Sequence, residues 1–232
     1  DQLVVVNPSF IPKLEAYGIS KDKVTYIPNF VSAEEFHPAD DQQRQTLRKQ
    51  YGYPDKFTIL GSGQVQVRKG VFDFIELAKR HPEIQFIWTG GFSFGRITDG
   101  YEKLKQVVDN PPANLSFPGI IDRDKLVDYY NMADLFLLPS YNELFPMSVL
   151  EAFSTHTPVL LRDLDLYHAI IEGDYAAAKD VEEMDQIISN LSSNSDALLA
   201  LEKKAEQGAD YYSEERLAKI WLQFYTEQAK RG

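Results

Sequence analysis

The sequence predicts an α/β protein with a doubly wound parallel sheet followed by helices, and three features lead to that expectation. Short β-rich apolar runs alternate with stretches whose apolar residues recur at spacings of three and four. The runs between residues 57 and 161 are almost continuously hydrophobic, without polar alternation, as suits strands covered on both faces. Past Asp180 only helical patterns remain.

The strand candidates, in order, are "LVVV" (3–6), "VTYI" (24–27), "FTIL" (57–60), "IQFIW" (84–88), "LSF" (115–117), "DLFLL" (134–138) and "PVLL" (158–161). Between them lie helix candidates: "GVFDFIELAKR" (70–80), "GYEKLKQVV" (100–108), "RDKLVDYYNM" (123–132) and "PMSVLEAFS" (146–154), each with Gly, Pro or Asp near its start. Three further helices follow, "VEEMDQIISNLSS", "SDALLALEKKAEQGADYY" and "SEERLAKIWLQFYTEQAKR". The last opens on Ser-Glu-Glu and puts Leu217, Ile220, Trp221, Phe224 and Tyr225 on one stripe, which suits the core first, then a partner helix or a membrane surface, the last disfavoured by the acidic composition. There is no internal repeat or low-complexity segment.

Composition narrows the function. A chain of 232 residues with 44% hydrophobic and 12% aromatic content can bury a large α/β core. Its net charge of -11 and pI near 4.8 repel nucleic acid and anionic lipid, so any bound anion needs a local cationic site. Without cysteine there is no disulfide or thiolate metal site, and no apolar run approaches the ~18 residues that span a bilayer. The opening "DQLVVVNPSF" has neither an initiator Met nor a signal-peptide charge pattern and reads as cut from a longer chain.

Ligands of open parallel sheets bind beyond the carboxyl ends of the strands, which directs attention to two loops. The first is "GSGQVQVRKG", Gly61 to Gly70. It begins like a dinucleotide fingerprint, but Val65 or Gln66 stands at the third glycine position, which argues against a nicotinamide site. Arg68 and Lys69, directly before a helix, can neutralise a diphosphate; an exposed basic turn is the competing reading.

The second loop is "SYNELFPMSVLEAF", Ser140 to Phe153. Pro146 suits the first helical position, and the free N–H groups around Met147 to Val149 would then form an anion site at the helix start. Glu143 precedes that helix, close to whatever is attached to a bound phosphate. Glu151 lies about a turn and a half inside it, where it can accept bonds from neutral hydroxyls. The competing reading is one capping glutamate and one exposed helix glutamate.

The segment "ADLFLLPSYNELFPMSVLEAFSTHTPVLLRD" resembles the E-x7-E region of retaining glycosyltransferases of family four, which have the GT-B fold of two facing Rossmann-like domains. "VTYIPNFVSAEEFHP" resembles the family's V-x-x-I-P-N-G-V-D-x-x-x-F-x-P stretch between domains, "ILGSGQVQVRKGVFDFIELA" its G-R-x-x-x-x-K-G segment and "LSFPGIID" its F-x-G-x-v loop. These motifs follow the family's order over residues 1 to about 180. The resemblance implies a Rossmann-like sheet that is the C-terminal half of a GT-B fold, divided into the end of an N-terminal domain with its linker (1–32), a nucleotide-sugar-binding domain (33–212) and a C-terminal helix (213–232).

It also implies roles. Arg68 and Lys69 would bind the donor diphosphate, Glu143 would hold donor-sugar hydroxyls at the reacting carbon, and Glu151 would hold the ribose. Backbone around Phe145, Pro146, Met147 and Ser148 would border phosphate and sugar. Gly119 and Ile120 would lie beside the base, and Gly63, Gly90 and Gly91 would let the backbone approach the donor. The sequence departs from the family at Phe30 in place of Gly, Ser32 in place of Asp, and His156 where Gly often precedes the "TPV" strand.

"WTGGFSFGRITDGY" (Trp88 to Tyr101) replaces a shorter loop; Arg96 can reach a phosphate or the acceptor, and Phe92 with Phe94 would meet an apolar acceptor if exposed, or the stretch is a surface loop. "DRD" (122–124) and "DLD" (163–165) resemble a metal-binding D-x-D but read as turns without a third ligand, and His37, His81, His156 and His168 lack metal-ligand spacing. The expectation is a hexosyltransferase that needs no metal or cofactor, takes UDP-glucose or UDP-galactose, requires a missing N-terminal domain, and transfers to a hydroxyl on a lipid or glycan. The closest flavour is bacterial glycolipid synthesis, with the enzyme cytoplasmic and peripheral on the membrane. The competing readings are half of a sucrose- or glycogen-type synthase and a nucleotide-sugar-binding module without chemistry.

Overall fold

A computed structural model describes residues 2–171 and 173–230, so the two last positions of the expected C-terminal helix lie outside the described residues. Six parallel strands form the main sheet: β3 (Thr58–Ser62), β4 (Gln85–Thr89), β5 (Leu115–Gly119), β6 (Leu135–Leu138), β7 (Val159–Arg162) and β8 (Ala176–Ala178), in the order β5-β4-β3-β6-β7-β8. Every residue of β3, β4, β6 and β7 is buried, which is why these runs lack polar alternation.

The helices are α3 (Val71–Arg80), α4 (Tyr101–Asp109), α5 (Arg123–Met132), α6 (Met147–Ser154), α7 (Asp165–His168), α8 (Val181–Leu191), α9 (Ser195–Tyr211) and α10 (Glu214–Ala229). Chain order runs outward from β3 to β5, then returns to β6 beside β3 and runs outward to β8. Right-handed crossovers therefore send the helices of the two halves to opposite faces: α3 packs with α8, and α6 packs with α5 and α9. Phe74 of α3 meets Phe86 and Trp88 edge-on, with ring centroids 5.3 and 5.0 Å apart, at the centre of one layer.

Ahead of the sheet, β1 (Leu3–Val5) and β2 (Val24–Tyr26) pair in parallel, joined through α1 (Phe10–Ala16). A further helix, α2 (Asp41–Gln50), has Leu47 as its only large apolar residue and no periodicity to betray it. It forms because Asp40 and Gln43 cap its start reciprocally. Arg48 then buries its guanidinium on the Met132 carbonyl, at 2.7 and 2.9 Å, and on Asp134 at 2.6 Å.

The apolar stripe of α10 is core only at Leu217. Ile220, Trp221 and Phe224 are half-buried and Tyr225 is exposed, so the core reading of that stripe holds for its first turn alone. His156 has φ +56°, after the C-terminus of α6, where its N–H donates to the Phe153 carbonyl at 2.8 Å. That left-handed conformation is one a glycine adopts without strain, as the resemblance implies for this position.

Candidate active site

The strand order reverses between β3 and β6, the place beyond whose carboxyl ends open parallel sheets bind ligands, and the two loops singled out in the sequence are the ones that follow these strands. After β3 the chain makes a 3-10 turn over Val67–Lys69 and enters α3 through Gly70 at φ +72°. A side chain at Gly70 would stand 2.1 Å from the Pro139 carbonyl oxygen, so only glycine lets the two loops approach this closely.

Across that approach three charges meet. Lys69 Nζ donates to Glu143 Oε1 at 2.6 Å, Arg68 Nη1 stands 3.8 Å from Glu143 Oε2, and the Arg68 guanidinium donates to the Asn142 carbonyl. The Tyr141 N–H in turn donates to the Arg68 carbonyl at 2.9 Å. The side chains of Lys69 and Glu143 are largely buried, whereas that of Arg68 is 44% exposed. The exposed-basic-turn reading therefore fails at Lys69.

Pro146 is the residue before α6, with extended ψ of 98°, and not its first helical residue as expected. Val149 donates its N–H to the Pro146 carbonyl at 3.0 Å, which leaves the amides of Met147 and Ser148 at the helix mouth. Phe145 is half-buried and its ring meets Tyr212 at 6.0 Å.

Glu151 is 6% exposed and Glu143 9%, which overturns the reading of an exposed helix glutamate. Tyr130 Oη donates to Glu151 Oε2 at 2.7 Å and Arg123 Nη1 to Oε1 at 3.1 Å. Arg123 also binds Glu35 at 2.7 Å and lies over the Phe36 ring. A carboxylate has about four acceptor positions, so Glu151 keeps capacity for hydroxyl donors. Burial, then the charge of Glu151, holds the Tyr130 phenol well above its ordinary pKa, so it stays a donor.

At the rim, Gly119 has φ +86° and open space around it, and Ile120 is exposed. At Gly90 the space a side chain would need is filled by the Gly63 carbonyl, and Gly91 packs against Ile120. Gly90 therefore lets the β3 and β4 loops touch. The paired-phenylalanine expectation fails: Phe92 turns inward against Tyr101, ring centroids 4.8 Å apart, and Phe94 is exposed. Arg96 is exposed on the same loop. Asp122 precedes α5, and Asp163 pairs with His168 at 2.9 Å.

Sequence reasoning missed Arg123 and Tyr130, which face Glu151 from α5, and Asn7. Asn7 is buried and its Nδ2 donates to the Leu144 carbonyl at 2.8 Å, fastening the Glu143 loop to the segment after β1. Its position just beyond the apolar run "LVVV" was the available signal. Tyr167 of α7 was also missed; burial first, and the charge of Glu143 second, raise its phenol far above the ordinary value, and its buried hydroxyl has no hydrogen-bond partner among the described residues.

This sheet order, with a cation pair and a helix start at the reversal, is that of one half of the GT-B fold. Sucrose-phosphate synthase from Thermosynechococcus elongatus superposes with a TM-score of 0.83 over 100% of this chain and 59% of its own, at 21% identity. Anabaena HepE in complex with UDP and glucose superposes with a TM-score of 0.84 over 98% of this chain and 62% of its own, at 16% identity.

The family described as "Glycosyl transferases group 1" matches residues 43–208, and the chain belongs to that family. Alpha-galactosylglucosyldiacylglycerol synthase of Streptococcus pneumoniae is 53% identical over 233 residues, which cover 100% of this chain and 62% of the relative. The chain thus spans less than two thirds of the length of the curated protein it resembles.

Proposed function

We propose that this chain is the donor-binding part of a retaining glycosyltransferase that moves a hexose from a UDP-sugar, glucose or galactose, to the hydroxyl of a membrane glycolipid. The observation that carries this reading is the meeting of the loops after β3 and β6 at Glu143, whose carboxylate takes Lys69 at 2.6 Å and lies 3.8 Å from Arg68, shortly before α6 begins at Met147. Identity of 53% to a synthase of a diacylglycerol glycolipid favours a lipid acceptor over the sucrose-type alternative. Residues 1–32 are then the end of a preceding domain and the linker, 33–212 the donor domain and 213–232 a closing helix; the acceptor side belongs to the part of the enzyme beyond this chain. Among the described residues no helix is long and apolar enough to cross a membrane; likeness to a glycolipid synthase supports peripheral attachment of the full enzyme at the cytoplasmic membrane face.

In the reaction, the bond between the anomeric carbon and the diphosphate oxygen breaks and its electrons pass to the phosphate. Arg68, Lys69 and the amides of Met147 and Ser148 stabilise that charge as it builds, because they are already oriented in a partly buried site. Glu143 holds sugar hydroxyls and Glu151 the ribose. The acceptor hydroxyl attacks from the face the diphosphate leaves and gives its proton to the departing phosphate oxygen.

Titrating UDP-glucose, UDP-galactose, GDP-mannose and NAD against the full-length enzyme tests the donor class: binding of a UDP-hexose and not of NAD is expected. Replacing Glu143→Ala tests the chemistry, with an expected loss of about 10²- to 10³-fold in kcat. Full transfer activity in that variant would remove Glu143 from the mechanism.

A further inference from the structure

The last residue of β7, Arg162, carries a charge inside the glycosyltransferase-like segment for which the resemblance implies no role. Arg162 is only 8% exposed, and its whole guanidinium is engaged by protein. Nε donates to the Pro139 carbonyl at 3.1 Å, Nη1 to the Lys179 carbonyl at 2.9 Å, and Nη2 to Asp73 Oδ2. The plane stacks on the Tyr141 ring, 4.1 Å from its centroid, and the Tyr141 hydroxyl donates to the same Asp73 oxygen at 2.7 Å.

These partners come from both loops of the site. Asp73 is in the first turn of α3, directly after Arg68 and Lys69, whereas Pro139 and Tyr141 lead into Glu143. The Pro139 carbonyl is also the atom against which Gly70 packs, and Tyr141 is the residue whose N–H holds the Arg68 carbonyl. One buried fork therefore sets the separation of the loops that carry the cations from the loop that carries the carboxylate. A buried ion pair adds little net stability over apolar packing, so what this one supplies is geometry. A lysine would keep the charge but could not span the same acceptors.

We propose that Arg162, with Asp73 and Tyr141, is a positioning residue for the diphosphate-binding side chains, holding Arg68 and Glu143 at their working distance before the donor arrives. This rests on the donor site proposed above. A displacement of about 1 Å in such a site costs on the order of 10²-fold in rate, which sets the expected effect.

The test uses the full-length enzyme, with UDP as probe, and pairs Arg162→Lys with Arg68→Ala. Arg162→Lys is expected to weaken UDP about tenfold and lower kcat by roughly 10²-fold. With Arg68 already removed, the further loss in UDP affinity should shrink to less than about threefold, because the residue through which Arg162 acts is gone. A purely structural role would give the same factor in both backgrounds, and that result, or unchanged UDP affinity in folded Arg162→Lys, overturns the proposal. If Arg162→Lys does not fold, Tyr141→Phe, which deletes one hydrogen bond at a half-exposed ring, is read the same way; about a threefold loss that disappears in the Arg68→Ala background is expected, and an unchanged or background-independent affinity refutes it. Wild-type enzyme with no affinity for UDP sinks the donor site and this inference together, whereas normal wild-type binding with multiplicative losses sinks the positioning role alone.

Discussion

Glu143 and Glu151 are both buried and both paired, yet their surroundings carry opposite net charge. Around Glu143 two cations, Arg68 and Lys69, outnumber one carboxylate. Around Glu151 the single cation Arg123 is shared with Glu35, and the remaining partner is the neutral phenol of Tyr130. The first neighbourhood draws in an anion; the second rejects one and offers acceptor oxygens to neutral hydroxyls. A nucleoside diphosphate attached to a sugar needs both kinds of contact side by side; Glu151 lies in α6 and Glu143 on the loop that leads into it.

That contrast can be broken first on the cationic side. Lys69→Ala removes the close partner of Glu143 and a charge facing the leaving group. It should lower kcat by about 10²- to 10³-fold and destabilise the protein by roughly 1 to 3 kcal/mol, since a buried carboxylate loses its close hydrogen-bond donor while Arg68 remains as a more distant counter-ion. Single-turnover kinetics and denaturant unfolding read the two effects, and a change in neither would contradict the assigned geometry. Glu151→Gln should act on binding: UDP affinity falls about tenfold, ~1.4 kcal/mol, with kcat at saturating donor near that of the wild type. Calorimetry with UDP separates this from an effect on the chemical step.

The smallest effect is on pH. The Tyr130 phenol keeps its proton in the folded state above the ordinary value of 10.0, because burial and the Glu151 charge disfavour the phenolate. Between about pH 10 and the raised folded value the unfolded chain releases that proton and the native one does not, so stability falls as pH rises through this window. Melting temperature from this group should be flat from pH 7 to about 9 and decline above about 10; Tyr130→Phe should flatten that decline.

Much of the fold was legible because buried parallel strands write themselves as unbroken apolar runs, as in "DLFLL" and "IQFIW". Four elements were not, among them α7, whose four residues are too few to show a helical period. β8 is three alanines at a sheet edge, with no β-branched residue to mark it. In α1, Pro12 masks a helix whose first turn tolerates it. In α2 the stability lies in a cap and in buried Arg48, neither of which is a periodic signal, although Asp40 with Gln43 offered a capping pattern. The motifs placed the candidate site residues on their loops, but the partners that orient them, Asn7, Arg123 and Tyr130, came only with the coordinates. For Arg123 and Tyr130, distant in sequence from Glu151, there is no local trace, whereas Asn7 offered only its position just beyond "LVVV".

The strand reversal has a bearing on biosynthesis. Arg68 and Lys69 belong to the stretch of chain that builds β3 to β5, and Glu143 to the stretch that builds β6 to β8; the two stretches join where Ile59 and Leu60 pair with Leu135 and Phe136. As the polypeptide leaves the ribosome, the early half therefore carries its basic groups without their acidic counterpart. The Lys69–Glu143 pair forms only once β6 docks on β3, and on the proposed function nucleotide capture waits for that same closure of the sheet.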